Sequence, residues 1–169
     1  MRRSPEDEIL ERYYAIDPKD YNAYGRDSHV YRVDFAGKSY AVKAYGGVMN
    51  RGEPTIEQLK ENQLLMNRAH HLIQHNPQHV TIRGKSLPVE VVEYPYLTIK
   101  EDRGIGIVPF IEGDLLHYFT ENVCALEGLN KFLRSSLNRG DEVHVIPSNV
   151  ILSRGVLFVV DIVPAIESL

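Results

Sequence analysis

Residues 29–47 constrain the fold of this chain more than any other part of the sequence. Apolar and polar residues alternate with period two through HVYRVDFAG and again through KSYAVKAYGG. Such alternation places successive side chains on opposite faces of a β-strand, and small residues between two alternating runs are typical of a hairpin turn. The run therefore predicts a β-hairpin that turns at Ala36, Gly37 and Lys38, with Lys43 on its second strand.

Two helices are predicted on either side of this hairpin. Residues 5–14 carry apolar side chains at helical spacing after an acidic first turn, which favours a short leading helix. After Pro54-Thr55, apolar residues keep a helical period for about five turns. Asn76-Pro77 then ends this longer helix, because proline cannot continue the backbone hydrogen-bond pattern.

The second half of the chain alternates strands with helical sequence. Strands are predicted around residues 78–83, 89–99 and 104–111, and residues 115–138 favour one helix or two short ones. Cys124 lies in an apolar part of that stretch and is predicted to be a core residue. The chain then continues into two apolar strands around Ser153-Arg154-Gly155. This order of elements favours the α+β class with an antiparallel sheet.

Composition excludes several classes of protein. The chain has 169 residues, a formal net charge of -4 and one cysteine, so an internal disulfide is impossible. No apolar segment follows the arginines of the N-terminus, and no stretch approaches the length of a membrane span, so we expect a cytoplasmic protein without a membrane partner. Its basic residues are scattered and do not alternate with tyrosines, which gives no strong indication of nucleic-acid binding.

Four segments resemble, in their order, the protein-kinase-like superfamily. YGRDSHVYRVDFAGKSYAVKAY is similar to its glycine-rich hairpin and lysine strand, and ENQLLMNRA is similar to the helix that follows. GIVPFIEGDLL resembles the hinge, and HVIPSNVILSRGVLFVVDI resembles the catalytic loop and the metal-binding strand. The compact atypical members are the most similar: RIO-type kinases, aminoglycoside-type phosphotransferases and the small kinase associated with tRNA modification.

The resemblance implies a minimal kinase-like fold with two lobes. Residues 1–111 would form an N-terminal lobe with an antiparallel sheet and one long helix, and residues 112–169 a truncated C-terminal lobe. ATP and Mg²⁺ would be the cofactors, because phosphoryl transfer depends on charge neutralisation and alignment around the triphosphate. The phosphate acceptor would be a small molecule or a protein.

The resemblance also assigns roles to individual residues. Lys43 would contact the phosphates and Glu61 would hold it, with Glu57 as the alternative. Asn149 and Asp161 would bind Mg²⁺. The remaining positions would surround the nucleotide: Gly25 and Ser28 at the phosphates, Val30 and Ala41 above the adenine, and Pro109, Phe110 and Ile111 as the hinge.

Two departures from the family pattern bear on catalysis. His144 stands where the family has its catalytic aspartate, and the nearest acidic residues are Asp141 and Glu142. Asp161 is followed by Ile162 and not by the aromatic residue and glycine of the family motif. His144 is therefore the candidate base, and the sequence leaves two further hypotheses open: an impaired kinase-like protein that regulates a partner, and a kinase-like fold without nucleotide.

A histidine cluster offers a second, weaker candidate site. Four histidines occur within ten residues, and two of them have the i, i+4 spacing of helical metal ligands. The glutamate of the zinc-protease motif is absent, so the sequence favours a partly exposed helix end over a zinc site. The histidines are His70, His71, His75 and His79.

Overall fold

The structure, a computed structural model, describes residues 3–24, 28–45, 54–101, 103–139 and 143–162. These residues pack into two compact units, and neither unit is continuous along the chain. The first unit comprises residues 1–63 and 94–110, and the second comprises residues 64–93 and 111–169.

The first unit is built on a five-stranded sheet in which every pairing is antiparallel, in the order β1-β2-β3-β7-β6. The central pairing of this sheet joins β3 to β7, so the predicted lysine strand is an interior strand. The strands are β1 (Ala23–Tyr24), β2 (Ser28–Phe35), β3 (Lys38–Tyr45), β6 (Tyr96–Lys100) and β7 (Arg103–Pro109).

Helix α1 (Pro5–Tyr14) covers this sheet, as its apolar spacing predicts. The side chain of Ser4 accepts a hydrogen bond from the backbone amide of Asp7, and Pro5 occupies the first turn, where a missing amide hydrogen costs nothing. Ile9 and Leu10 pack against buried strand residues such as Val42, and this cluster is the core of the first unit. Both the helix and the hairpin were predicted, and both are confirmed.

Helix α2 (Ile56–His75) follows β3 along the chain. Its start is a capping box: the Gln58 amide donates to the Thr55 hydroxyl, and the Thr55 amide donates to the Gln58 side chain. These reciprocal bonds satisfy two backbone donors that an uncapped helix would leave without partners. The long helix predicted for residues 55–75 is thereby confirmed.

The second unit contains a mixed five-stranded sheet in the order β4-β5-β10-β9-β8. Strand β10 runs parallel to β5 and antiparallel to β9, and helices α3 (Thr120–Ala125) and α4 (Glu127–Leu137) belong to the same unit. The strands are β4 (His79–Ile82), β5 (Lys85–Val91), β8 (Asp114–Leu115), β9 (Val150–Ser153) and β10 (Val156–Val159).

Three features differ from the sequence prediction. The strand predicted for residues 89–99 is interrupted, because Pro95 lacks the amide hydrogen that a continuing strand would need. Strands β4 and β5, predicted to belong to the first lobe, pair within the second unit's sheet. Cys124 is exposed, because Asn122 and Leu126 occupy the buried face at that point of the chain.

Three of the hairpin turns share one sequence pattern. Ala36-Gly37, Arg83-Gly84 and Arg154-Gly155 each connect two paired strands, and both residues of every pair have positive φ. Two-residue loops of this kind match the right-handed twist of the flanking strands. Glycine adopts positive φ without penalty, which fixes the second position of each turn.

Candidate functional site

Lys43 is the most deeply buried charged residue among those predicted for the site, with a relative exposure of 8%. It lies on β3, opposite Val30 of β2 and Gly106 of β7. Its ammonium is 5.8 Å from the ring centroid of Tyr94, a distance at which a cation is attracted to the π face. A lysine inside a sheet is uncommon, because burial disfavours the charged form.

Tyr94 is held firmly beside this lysine. Its ring is almost fully buried, and its hydroxyl shares a 2.9 Å hydrogen bond with the hydroxyl of Tyr45. The Gln63 side-chain amide donates to the backbone carbonyl of Tyr94 at 3.1 Å. A Cβ at Gly106 would lie 1.8 Å from the Tyr94 hydroxyl, so only glycine leaves room for this ring.

The sequence did not single out Tyr94, although two signals were present. A glycine in the interior of strand β7 indicates close approach by another group. A tyrosine before proline, at the end of an apolar run, indicates a ring fixed at a chain reversal. Neither signal indicates which residue the tyrosine contacts. The contact between Tyr94 and Lys43 is therefore visible only in the structure.

The two candidate partners of Lys43 on helix α2 differ in burial. Glu57 is exposed, whereas Glu61 is half-buried and one of its carboxylate oxygens is shielded from solvent. A carboxylate that is held inside needs a compensating group, which favours Glu61 over Glu57 as the residue that holds the lysine. The ion pair itself remains a prediction.

The residues predicted around the nucleotide have unequal support. Gly25 lies outside the described residues. Ser28 and Ala41 are buried in the first sheet, and Val30 is half-buried beside Lys43 in the pairing register. Val30 and Ala41 are apolar, and Ser28 places a hydroxyl at the start of β2.

The predicted hinge has fewer donors than the sequence suggested. Pro109 carries no amide hydrogen, and the amide of Phe110 donates to the Ser39 carbonyl at 2.9 Å. The Arg32 guanidinium lies 4.9 Å from the Phe110 ring centroid and helps fix that ring. Of the three hinge residues, Ile111 is the one left to donate a backbone hydrogen bond to a base.

In the second unit, Asn149 and Asp161 lie just outside the two ends of the β9–β10 hairpin. Asn149 ends the 3₁₀ turn Pro147–Asn149, and its carbonyl accepts a hydrogen bond from the Val160 amide at 2.9 Å. That bond places Val160 opposite Asn149, one step beyond the β9–β10 ladder, and Asp161 is the next residue. Both side chains are half-buried, and the Ile162 amide donates to Oδ1 of Asp161 at 2.8 Å.

The donor chemistry of this pair suits a hard divalent cation. Carboxylate and amide oxygens are ligands that Mg²⁺ accepts, and Mg²⁺ commonly binds to one or two carboxylates plus substrate phosphates. Across the described ranges, no group of three or more His, Cys, Asp or Glu residues converges as a metal site would require. Asn149 and Asp161 thus offer oxygen donors of the type that Mg²⁺ accepts, and the metal site stays a prediction.

His144 lies in a short segment that helix α4 fixes from one side. Asn130 makes two bonds to Val145: its amide donates to the Val145 carbonyl at 3.0 Å, and its oxygen accepts from the Val145 amide at 2.6 Å. Arg134, one turn later, donates from Nε to the Val143 carbonyl at 2.8 Å. Burial, and secondly the Arg134 charge, lower the pKa of His144 below its ordinary value of 6.5.

Asn130 and Arg134 were missed at the sequence level. Asn130 falls on the buried face of α4 together with Leu129 and Leu133, where an amide is unusual. The i, i+4 spacing of Asn130 and Arg134 places both on one side of the helix. Asp141 and Glu142, the nearest acidic residues along the chain, lie outside the described residues.

The histidine cluster makes local hydrogen bonds. His70 Nδ1 is 2.7 Å from the Val91 carbonyl, and His75 Nδ1 is 2.8 Å from the His71 carbonyl within the same helix. Because a carbonyl oxygen only accepts hydrogen bonds, Nδ1 is the donor in both histidines. The first bond connects α2 to the last residue of β5, and the second closes the last turn of α2.

No model of a known protein family matches the chain, and no curated protein matches its sequence. Within the parts of the chain that the structure describes, no helix has both the length and the apolar character needed to cross a membrane.

Proposed function

We propose that this chain is a kinase-like protein that binds ATP with Mg²⁺ and transfers phosphate weakly or to a specialised acceptor. The observation that carries the proposal is Lys43, a lysine kept inside an antiparallel sheet against the face of Tyr94. Kinases place a lysine on their third strand to contact the phosphates, and Lys43 lies on β3. The buried ammonium is thereby preorganised to meet negative charge.

The order of the other elements supports the same proposal. Helix α2 follows β3 and carries the half-buried Glu61, the hinge residues begin at the last residue of β7, and Asn149 and Asp161 flank the β9–β10 hairpin. Asp161 and Asn149 would hold Mg²⁺, which neutralises phosphate charge when bound. Lys43 would contact phosphate oxygens and Ile111 would bind the base.

His144 determines what the protein does with a bound nucleotide. Since its pKa is lowered, the imidazole is neutral at neutral pH and is able to accept the proton of an attacking hydroxyl. The γ-phosphoryl group would then pass to that oxygen, and ADP would leave. The alternative function, a nucleotide-binding regulatory protein, is favoured by the absence of a carboxylate at this loop position.

Thermal unfolding with and without ATP and Mg²⁺ tests nucleotide binding. Ligand at 100 times its Kd stabilises a native state by about 2.7 kcal/mol. For a chain of this size we expect a Tm increase of roughly 5–10 °C. Lys43→Met and Asp161→Asn should each lose most of that increase, because one loses the phosphate contact and the other a metal ligand.

Matched variants separate the site from general effects. Lys38→Met, at an exposed position of the same strand, and Asp20→Asn, at an exposed loop position, should respond as the wild type does. A double-variant cycle then asks whether Lys43 and Asp161 act on one ligand: the two losses should be less than additive. Equal Tm increases in all five proteins would reject the proposal.

ADP release separates the two functions. An enzyme should release ADP with a rate that falls as the pH drops below 6.5, where the imidazole takes up its proton. His144→Asp should preserve or raise that rate, and His144→Ala should lower it by about 10²-fold or more. A regulatory protein should show background turnover in every variant while the Tm increase persists.

A further inference from the structure

A second surface lies around strand β8 in the second unit, beside the 3₁₀ turn that carries Asn149. We call it the β8 surface: it consists of the exposed residues between Glu112 and Glu121. Three large apolar side chains on it face solvent, with relative exposures of 54% for Leu115, 63% for Tyr118 and 52% for Phe119. Clustered exposure of this kind, rimmed by polar residues, is characteristic of interaction sites.

The backbone beneath these side chains is firmly hydrogen-bonded. The Leu116 amide donates to Val150 of β9 at 2.9 Å, and the Asn122 side chain donates to the His117 carbonyl at 2.7 Å. The Phe119 carbonyl accepts from the amides of Asn122 and Val123. The aromatic rings are therefore displayed on a fixed support, which lowers the entropy lost when a partner binds.

The first residues of the surface are fixed as well. The Ser153 hydroxyl donates to the Glu112 carbonyl at 2.7 Å. A Cβ at Gly113 would lie 2.4 Å from the Leu152 carbonyl, so this backbone lies directly against β9. Strand β8 is the outermost strand of its sheet, which places the surface at an edge of the second unit.

The formally charged residues of this surface are all acidic. Glu112, Asp114 and Glu121 are all exposed, and the sequence contains no lysine or arginine between Arg103 and Lys131. Because Ser153 bonds to Glu112, the next residue, Arg154, lies at the Glu112 end of the surface. Leu115 pairs with Ile151, and the aromatic residues lie beyond it, towards the other end. Acidic side chains thus frame the apolar ones without a neighbouring cation in the same segment.

We propose that the β8 surface binds a basic, apolar segment of a protein partner. Tyr118, Phe119 and Leu115 would contact its apolar side chains, and Asp114 and Glu121 would face its lysines or arginines. The same negative charge disfavours anionic lipid, nucleic acid and a second copy of the surface, because each would bring like charges together. This interaction does not depend on the proposed phosphotransfer.

A random peptide library displayed on phage is the probe for this surface. The full chain is immobilised and panned, and the enriched peptides are synthesised and titrated by fluorescence anisotropy. We expect peptides rich in lysine or arginine next to leucine or an aromatic residue. Tyr118→Ser and Phe119→Ser should each weaken binding by about tenfold or more, since a central aromatic residue commonly contributes that much.

Charge variants and controls complete the test. Glu121→Lys should weaken binding several-fold at low salt and less at high salt, because salt screens exposed charges. Leu64→Ser and Glu90→Lys, at exposed positions elsewhere in the second unit, should bind as the wild type does. Circular dichroism should give the same folded spectrum for all variants, since every substituted side chain is exposed.

Several results would overturn the proposal. Enrichment of neutral or acidic peptides would contradict the proposal that the partner segment is basic. Peptides that bind Phe119→Ser as tightly as the wild type would show that they bind outside the β8 surface. Self-association that disappears in Phe119→Ser would make the occupant a second copy of the chain. Flotation with phosphatidylserine vesicles that Phe119→Ser abolishes would make it a membrane.

Discussion

Gly106 allows a buried tyrosine to lie against a buried lysine. The absence of a side chain at this one position gives the Tyr94 ring its space, and the ring in turn faces the Lys43 ammonium. The sequence predicted Lys43, Asn149 and Asp161 because their residue types and order are themselves informative. It did not reveal Tyr94, whose importance comes from contacts with Tyr45, Gln63 and Gly106 that only the fold brings together.

Gly106→Ala should destabilise the first unit. Its Cβ would meet the Tyr94 hydroxyl and ring, and overpacking of this kind typically costs about 1–3 kcal/mol. The cost should shrink when Tyr94→Phe is added, because the closest atom is then removed. Gly128→Ala is the matched control: nothing lies near its Cβ, and alanine inside helix α4 should stabilise by roughly 0.5–1 kcal/mol. Urea unfolding measures these three variants and Tyr94→Phe alone, which completes the double-variant cycle.

His144 should make stability depend on pH. Its folded-state pKa is lowered, so the unfolded chain binds a proton more readily than the native one as the pH falls below 6.5. The resulting stability is present above the ordinary pKa and is lost as the pH falls through the folded pKa. The free energy of unfolding of the wild type should therefore decrease more steeply below pH 6.5 than that of His144→Gln. Parallel profiles for the two proteins would contradict this assignment.

At the scale of elements, local sequence patterns were sufficient to predict helices and hairpins. They did not predict which distant strands pair. Helices α1 and α2 and the β2–β3 and β9–β10 hairpins follow from periodicity, caps and the residues of their turns. The parallel pairing of β5 with β10 does not, because Val89 and Leu157 are far apart in the sequence and neither the alternating pattern of β5 nor the apolar run of β10 specifies a partner. Periodicity identifies a strand and its buried face, but it does not identify its neighbour.

Helix α4 is expected to control the segment that carries His144. Asn130→Ala removes both bonds to Val145 and leaves a buried amide and carbonyl without partners, at about 1–3 kcal/mol for each group. We expect lower stability, faster hydrogen exchange at the Val145 amide and a pKa of His144 closer to its ordinary value. Ser135→Ala, at an exposed position of the same helix, is the control. Unchanged exchange at Val145 in Asn130→Ala would show that the helix does not hold this segment.

For the whole molecule, the consequence of the β5–β10 pairing concerns biosynthesis. Strand β5 is an interior strand of its sheet, and its parallel neighbour is made about 65 residues later. At about 5–20 residues per second, a ribosome exposes one unpaired edge of β5 for several seconds before Val156 is joined to the chain. An open strand edge is a template for pairing with other chains, so nascent copies on one messenger would be at risk of associating. Chaperone demand should therefore be greatest just before the last hairpin is completed.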